Sequence, residues 1–257
     1  MTAVEKLVRA MARLRGPSGC PWDREQTHES LKPYVLEETY ELLEAIDSND
    51  PAKIANELGD LLLQVVFHAQ LGAERGEFDL ESVAERIISK LVHRHPHVFG
   101  TATVEDADEV LKNWELLKAQ EPETNDRTSV LDGVPAALPA LRRATKIQKR
   151  AAHVGFDWED VTGPLAKIDE ETRELRAAGT DAPRAKLAEE IGDLLFAVAN
   201  ASRFYGVDPE EALRQTIEKF CRRFQHIEES ARRAGRDVRE MSLEEMDALW
   251  EQAKADG

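Results

Sequence analysis

The sequence predicts an all-α chain, a tandem repeat of two four-helix-type modules. Three observations carry that expectation. Apolar residues recur at helical spacing, helix-start signals precede the apolar runs, and one half of the chain returns in the other. Segments of alternating β-branched residues are missing, so strands are not expected.

The elements follow in order. Val4, Leu7, Val8, Met11 and Leu14 share one helical face, interrupted by Lys6, Arg9 and Arg13. That pattern predicts an N-terminal docking helix and leaves no signal-peptide core. Asp50-Pro51 and Asp208-Pro209 each place an N-cap residue before a proline at the first helical position. Leu187, Ile191, Leu194, Leu195 and Val198 then follow helical spacing, as do Leu213, Thr216, Phe220, Phe224 and Ile227. Ser242 with Glu245 predicts a capping box for a last helix. About four helices per half are expected. Pro122, Gly133 and Pro135 mark residues 119–138 as the linker between a first module, 1–118, and a second, 139–257.

The repeat is specific. Glu37-Glu38-Thr39-Tyr40-Glu41-Leu42 returns 133 residues later as Glu170-Glu171-Thr172-Arg173-Glu174-Leu175. At the same shift Lys53, Glu57, Gly59 and Asp60 meet Lys186, Glu190, Gly192 and Asp193. At a shift of 129, Lys90 and Arg94 meet Lys219 and Arg223, and at 136 Trp114, Glu115 and Lys118 meet Trp250, Glu251 and Lys254. The shift changes only between expected helices, as in a duplication with small loop insertions and deletions.

Composition sets limits on function. The chain has 257 residues and a net charge of −16, from 50 acidic and 34 basic residues. Hydrophobic residues make up 42% and charged residues 33%, a globular balance. No apolar run approaches the roughly 18 residues that span a bilayer, so no membrane is expected. Nucleic acid is not an expected partner, because binding it relies on Lys and Arg neutralising phosphates. Two cysteines, Cys20 and Cys221, give no disulfide framework, and a cytoplasmic location fits.

The acidity becomes chemistry where carboxylates converge. Glu171 and Glu174 are three apart, as are Glu190 and Asp193, so each pair shares a helix face. If the two helices pack antiparallel, four anions meet and repel unless a cation joins them. Hard oxygen ligands suit Mg²⁺ or Mn²⁺. Lys167 and Lys186 each stand one turn before a carboxylate, and Lys219, Arg222 and Arg223 lie on the following helix. Metal-binding carboxylates with converging cations fit a polyphosphate. Trp250 either stacks on a base or packs in the core.

The first half repeats the quartet as Glu38, Glu41, Glu57 and Asp60. Its cations are fewer: Tyr34 stands where the other half has Lys167, His93 where it has Arg222, and Asn56 where it has Glu189. The second half is the better equipped for a triphosphate. Glu25 and His28 form a single ExxH, whereas a di-iron bundle needs two. His93, His95 and His97 alternate around Pro96 and suggest a turn with surface imidazoles rather than a zinc site. No Gly-rich phosphate loop occurs.

These residues, with Gly19-Cys20-Pro21-Trp22-Asp23, Arg94-His95-Pro96-His97-Val98-Phe99, Lys146-Ile147-Gln148-Lys149-Arg150 and Val154-Gly155-Phe156-Asp157-Trp158, resemble the MazG family of nucleoside triphosphate pyrophosphohydrolases over nearly the whole chain. The resemblance implies the fold of the all-α NTP pyrophosphatase group and a homodimer. It implies Mg²⁺-dependent hydrolysis of NTP or dNTP at the α-phosphate to nucleoside monophosphate and pyrophosphate, in nucleotide-pool house-cleaning. By motif position, Glu171, Glu174, Glu190 and Asp193 would bind metal and act in catalysis. Lys167, Glu170, Lys186, Glu189, Asp193, Lys219, Arg222, Arg223 and Trp250 would surround the nucleotide. The intact Glu38, Glu41, Glu57 and Asp60 imply metal binding in the first half as well. Two other readings stand beside this one: a non-catalytic NTP-sensing module, and a narrow dNTP- or dUTP-specific pyrophosphatase.

Overall fold

The computed structural model describes residues 1–107, 109–110, 113–114, 117 and 128–255. All regular elements among them are helical. The chain divides into two units, Met1–Pro122 and Glu123–Gly257. Of the expected linker, 119–127 lies outside the described residues, as do Glu115 and Lys118 of the repeat. Past them, the backbone of Thr128 and Ser129 donates to the Asp132 carboxylate in a turn.

The first unit runs α1 (Ala3–Arg15), α2 (Pro21–Glu25), α3 (Lys32–Asp47), α4 (Pro51–Arg75), α5 (Leu80–Arg94) and α6 (Pro96–Phe99). Thr2 and Glu5 cap α1 reciprocally. The Asp50 carboxylate accepts from the Ala52 and Lys53 amides at the start of α4, which ends at Gly76 with φ 68°. A left-handed residue there ends the helix at no steric cost because glycine lacks a Cβ. α1 and α3 both pack on α4. Met11, Leu31, Val66, Phe67 and Leu71 form the core, with Leu7, Val8, Leu63 and Leu80 against it. Arg15 fastens the end of α1: it pairs with both Glu74 oxygens, at 2.8 and 2.7 Å, and donates to the carbonyls of Asp23 and Gln26.

The second unit runs α7 (Ala140–His153), α8 (Thr162–Ala178), α9 (Arg184–Phe204), α10 (Pro209–Arg233), a 3₁₀ turn (Val238–Glu240) and α11 (Leu243–Ala255). α8 lies along α9, α7 packs on α9, and α10 packs on α11 and α7. Asp208 caps α10 through the Glu210 and Glu211 amides. The expected Ser242–Glu245 box is present, with both bonds formed. Arg203 grips both oxygens of Asp157, tying the loop before α8 to the end of α9. That ion pair holds the Asp157 carboxyl below its usual range.

The two all-α modules are present as expected, and among the described residues the first unit adds the short α2 and α6 while the second has five α-helices. Both short helices start at prolines and are too short to show periodicity. One expectation needs correction: the apolar stripes are less buried than their spacing implied. In α9 the buried apolar positions are Ala197, Ala199 and Ala201, while Ile191, Leu195 and Phe196 stay exposed. Along α10, Ile227 is buried but Leu213, Ile217, Phe220 and Phe224 are exposed. Ala197 and Ala201 share one face of α9, and Ala199 lies on the opposite one near the exposed Leu195 and Phe196.

Candidate metal centre

The second-unit centre is built across α8 and α9. One carboxylate oxygen from each of Glu171, Glu174 and Glu190 lies within 4.8 Å of the others. Glu171 is 3% exposed and Glu190 2%, whereas Glu174 opens to solvent. Such burial is unusual for carboxylates unless they are paired. Each has a lysine. Lys167 Nζ is 2.6 Å from a Glu171 oxygen and 2.9 Å from Glu170. Lys186 Nζ is 2.5 Å from a Glu190 oxygen and 3.4 Å from Glu189. The bond to Glu171, then that to Glu170, holds the Lys167 ammonium above the usual lysine range. Glu190 and then Glu189 do the same for Lys186.

The lysines do not satisfy the centre. Glu171 Oε2 is buried with no hydrogen-bond partner. An unpaired buried charged oxygen costs more than the roughly 1–3 kcal/mol of a neutral group. Three converging carboxylates with one such oxygen form an all-oxygen donor set that fits a hard divalent cation.

The first unit repeats the arrangement across α3 and α4. Oxygens of Glu38, Glu41 and Glu57 lie within 4.8 Å of one another. Here Tyr34 stands where the second unit has Lys167 and packs edge-on against Trp22 at 5.8 Å, and Lys53, the counterpart of Lys186, makes no ion pair among the described residues. Asn56 Nδ2 lies 3.2 Å from both Glu57 and Asp60 oxygens. Desolvation, then the charges of Asp60 and Glu41, pushes the Glu38 carboxyl above its usual value. Desolvation, then Glu57, Glu37, Asp60 and Glu44, raises Glu41.

With both centres in view, the comparison with known proteins is decisive. The family model described as "MazG nucleotide pyrophosphohydrolase domain" matches residues 26–99 and 160–228, one stretch around each centre. The chain belongs to the MazG family. A protein of Thermotoga maritima named nucleoside triphosphate pyrophosphohydrolase/pyrophosphatase MazG is 49% identical over 97% of this chain and 95% of its own length. An Escherichia coli protein named nucleoside triphosphate pyrophosphohydrolase is 46% identical over 99% of this chain and 98% of its own. A Bacillus subtilis protein, YabN, is 52% identical over 94% of this chain and 49% of its own.

Not every MazG-motif residue joins the close groups. Asp193 and Asp60 are not among the oxygens within 4.8 Å; Asp193 is exposed, and Asp60 touches Asn56 while its charge reaches Glu38. Lys219, Arg222 and Arg223 lie on α10, and among the described residues none pairs with the triad. Arg223 instead sits 5.5 Å over the Trp250 ring, and Phe220 lies 5.1 Å from that ring. The first unit mirrors this with Arg94 at 5.8 Å over Trp114. Trp250 is half-buried, so it packs on α10 and keeps part of its surface open.

The structure also shows groupings that spacing did not. His28 pairs with His68, Nδ1 to Nδ1 at 2.7 Å with the rings stacked, rather than joining Glu25 in a metal site. The pair is 40 residues apart in sequence, beyond any local pattern. Gln64 is buried beside Glu38 with its Oε1 unpartnered. A signal for it existed: Gln64 is seven residues after Glu57, two helical turns along the same face.

Proposed function

We propose that this chain is a nucleoside triphosphate pyrophosphohydrolase whose main site is the Glu171, Glu174 and Glu190 centre. Water adds to the α-phosphorus, the bond from that phosphorus to the bridging oxygen breaks, and nucleoside monophosphate and pyrophosphate leave. The observation that carries the reading is the triad of Glu171, Glu174 and Glu190 with its buried, unsatisfied Glu171 oxygen, in a chain of this family. The names of the Thermotoga and Escherichia relatives support it.

Glu171, Glu174 and Glu190, with Asp193 on the same face of α9 as Glu190, would hold Mg²⁺ or Mn²⁺, which when bound would supply a Lewis acid that acidifies water and screens phosphate charge. Glu171 or Glu174 orients the attacking water and accepts its proton. Lys167 and Lys186 turn from Glu171 and Glu190 toward the phosphates, with Glu170 and Glu189 still beside their ammonium groups. Lys219, Arg222 and Arg223 neutralise the charge that builds on the leaving pyrophosphate. Trp250, steadied by Phe220 and Arg223, offers its open surface to a base. Glu38, Glu41, Glu57 and Asp60 hold a second cation. The substrates are NTPs and dNTPs, and the role is house-cleaning of the nucleotide pool in the cytoplasm.

The exposed apolar faces of α9 and α10 support a homodimer, since patches of that kind mark interfaces. Replacing Ile217 and Phe220 with Asp reduces the mass seen by light scattering from two chains to one.

Pyrophosphate release from eight NTPs and dNTPs, with Mg²⁺ and with EDTA, tests the proposal. The expected result is metal-dependent monophosphate and pyrophosphate. Diphosphate and orthophosphate would overturn attack at the α-phosphorus.

A further inference from the structure

The second-unit centre carries its own counter-ions. Glu171 and Glu190 are buried, and each gives an oxygen to a lysine one turn before it on the same helix. Lys167 Nζ, from α8, stands 2.6 Å from Glu171 Oε1, and Lys186 Nζ, from α9, stands 2.5 Å from Glu190 Oε1. Two ammonium groups from two helices thus converge on one group of three carboxylates. They do not satisfy it, because Glu171 Oε2 stays buried without a partner.

Both lysines can leave. Their side chains are 43% and 52% exposed, whereas those of their buried partners are 4% and 3%. Each also has a second acceptor on the outer side. Lys167 Nζ lies 2.9 Å from Glu170 and Lys186 Nζ 3.4 Å from Glu189, and neither of these glutamates is buried. An ammonium group that swings outward therefore keeps one carboxylate and gives up the other.

Charge decides when that happens. Two ammonium groups against three carboxylates leave the centre one negative charge. A divalent cation added while both lysines stay makes the centre positive and sets like charges on the same oxygens, so the cation competes with the lysines for Glu171 and Glu190. Phosphate oxygens relieve the competition, because they accept the displaced ammonium groups in charge-assisted hydrogen bonds. Cation and polyphosphate then favour each other's binding, and by linkage that coupling is reciprocal.

We infer that Lys167 and Lys186 are exchangeable counter-ions, which make the second-unit centre take its divalent cation and its polyphosphate together, as one metal–nucleotide complex, and hold the cation poorly alone. This rests on the reading of the Glu171, Glu174 and Glu190 group as the cation site for nucleotide hydrolysis.

The test uses the full chain with Glu38→Gln and Glu57→Gln, so that the acidic group of the first unit does not contribute. Mn²⁺ binding is followed by electron paramagnetic resonance, binding of an α,β-methylene nucleotide with Mn²⁺ by equilibrium dialysis, and helicity by circular dichroism. Adding Lys167→Met and Lys186→Met should tighten Mn²⁺ alone by about five- to a hundredfold, the usual size of a coupling between two ligands. The same pair of changes should weaken the nucleotide. Lys219→Met removes an equal charge from α10, where it pairs with neither carboxylate, and should leave Mn²⁺ alone within about twofold because a distant exposed charge is screened. Unchanged or weaker Mn²⁺ binding in the lysine double variant, with helicity intact, would overturn the exchange. Equal tightening in Lys219→Met would overturn it too, since any nearby positive charge would then act alike. If no chain binds Mn²⁺, with or without the nucleotide, the cation reading of the centre fails and this inference with it.

Discussion

The two units place the same three glutamates within the same 4.8 Å and surround them differently. In the second, each buried carboxylate is held by a lysine one turn away. In the first, Asn56 reaches Glu57 and Asp60 with its amide, and Gln64 lies buried further along the same helix. One backbone frame therefore supports two electrostatic designs. Helix register fixes where the carboxylates meet, and a few surrounding residues decide whether the centre is charge-balanced, which bears on what it accepts.

Removing divalent cation has the largest expected effect. With EDTA, product formation from any NTP stops, and added Mg²⁺ restores it, as measured by pyrophosphate release. Next comes the lysine that distinguishes the units. Lys167→Ala removes a charged contact worth about 1.5–3 kcal/mol, so kcat/KM falls about ten- to a hundredfold. Tyr34→Phe, at the matching place, leaves turnover within about twofold. If both changes cost the same, the units are not divided as described.

The smallest effect lies in stability. Burial, then the neighbouring carboxylates, raises the Glu41 pKa in the folded first unit above the unfolded value. A raised carboxylate pKa costs stability at pH values above the folded pKa, and the cost fades as pH falls toward the unfolded value. In EDTA at pH 7, Glu41→Gln therefore raises the Tm of the transition that reports the first unit. The gain shrinks toward pH 4.5 and is lost in Mg²⁺, where the native chain gains from the cation instead. Differential scanning calorimetry at the two pH values checks it.

Much of this was legible in the sequence because helices translate spacing into position. Three-residue gaps put Glu171 with Glu174, and the shared 19-residue gap brought Glu190 and Glu57 to their partners. The lysines one turn earlier were legible for the same reason, and so was the cap at Ser242. Spacing did not show which member of each quartet stands apart. Asp193 and Asp60 share their helix faces with Glu190 and Glu57, but an aspartate is one methylene shorter, and whether it reaches the centre depends on interhelical distance. Nor did spacing show that Ile191 and Leu195 stay exposed, because an apolar stripe records that a surface is covered and not by what. The His28–His68 pair depends on how α4 meets the turn before α3, a tertiary fact without a local signature.

The central claim is that the second unit carries turnover and the first holds a cation. Pyrophosphate release in Mg²⁺ should be compared for Glu190→Gln and Glu57→Gln, the same substitution at matching places. The account predicts a loss of about a thousandfold for Glu190→Gln, from removal of a ligand to a metal worth several kcal/mol, and retention of most activity in Glu57→Gln. Equal losses, or a greater loss in Glu57→Gln, would contradict it.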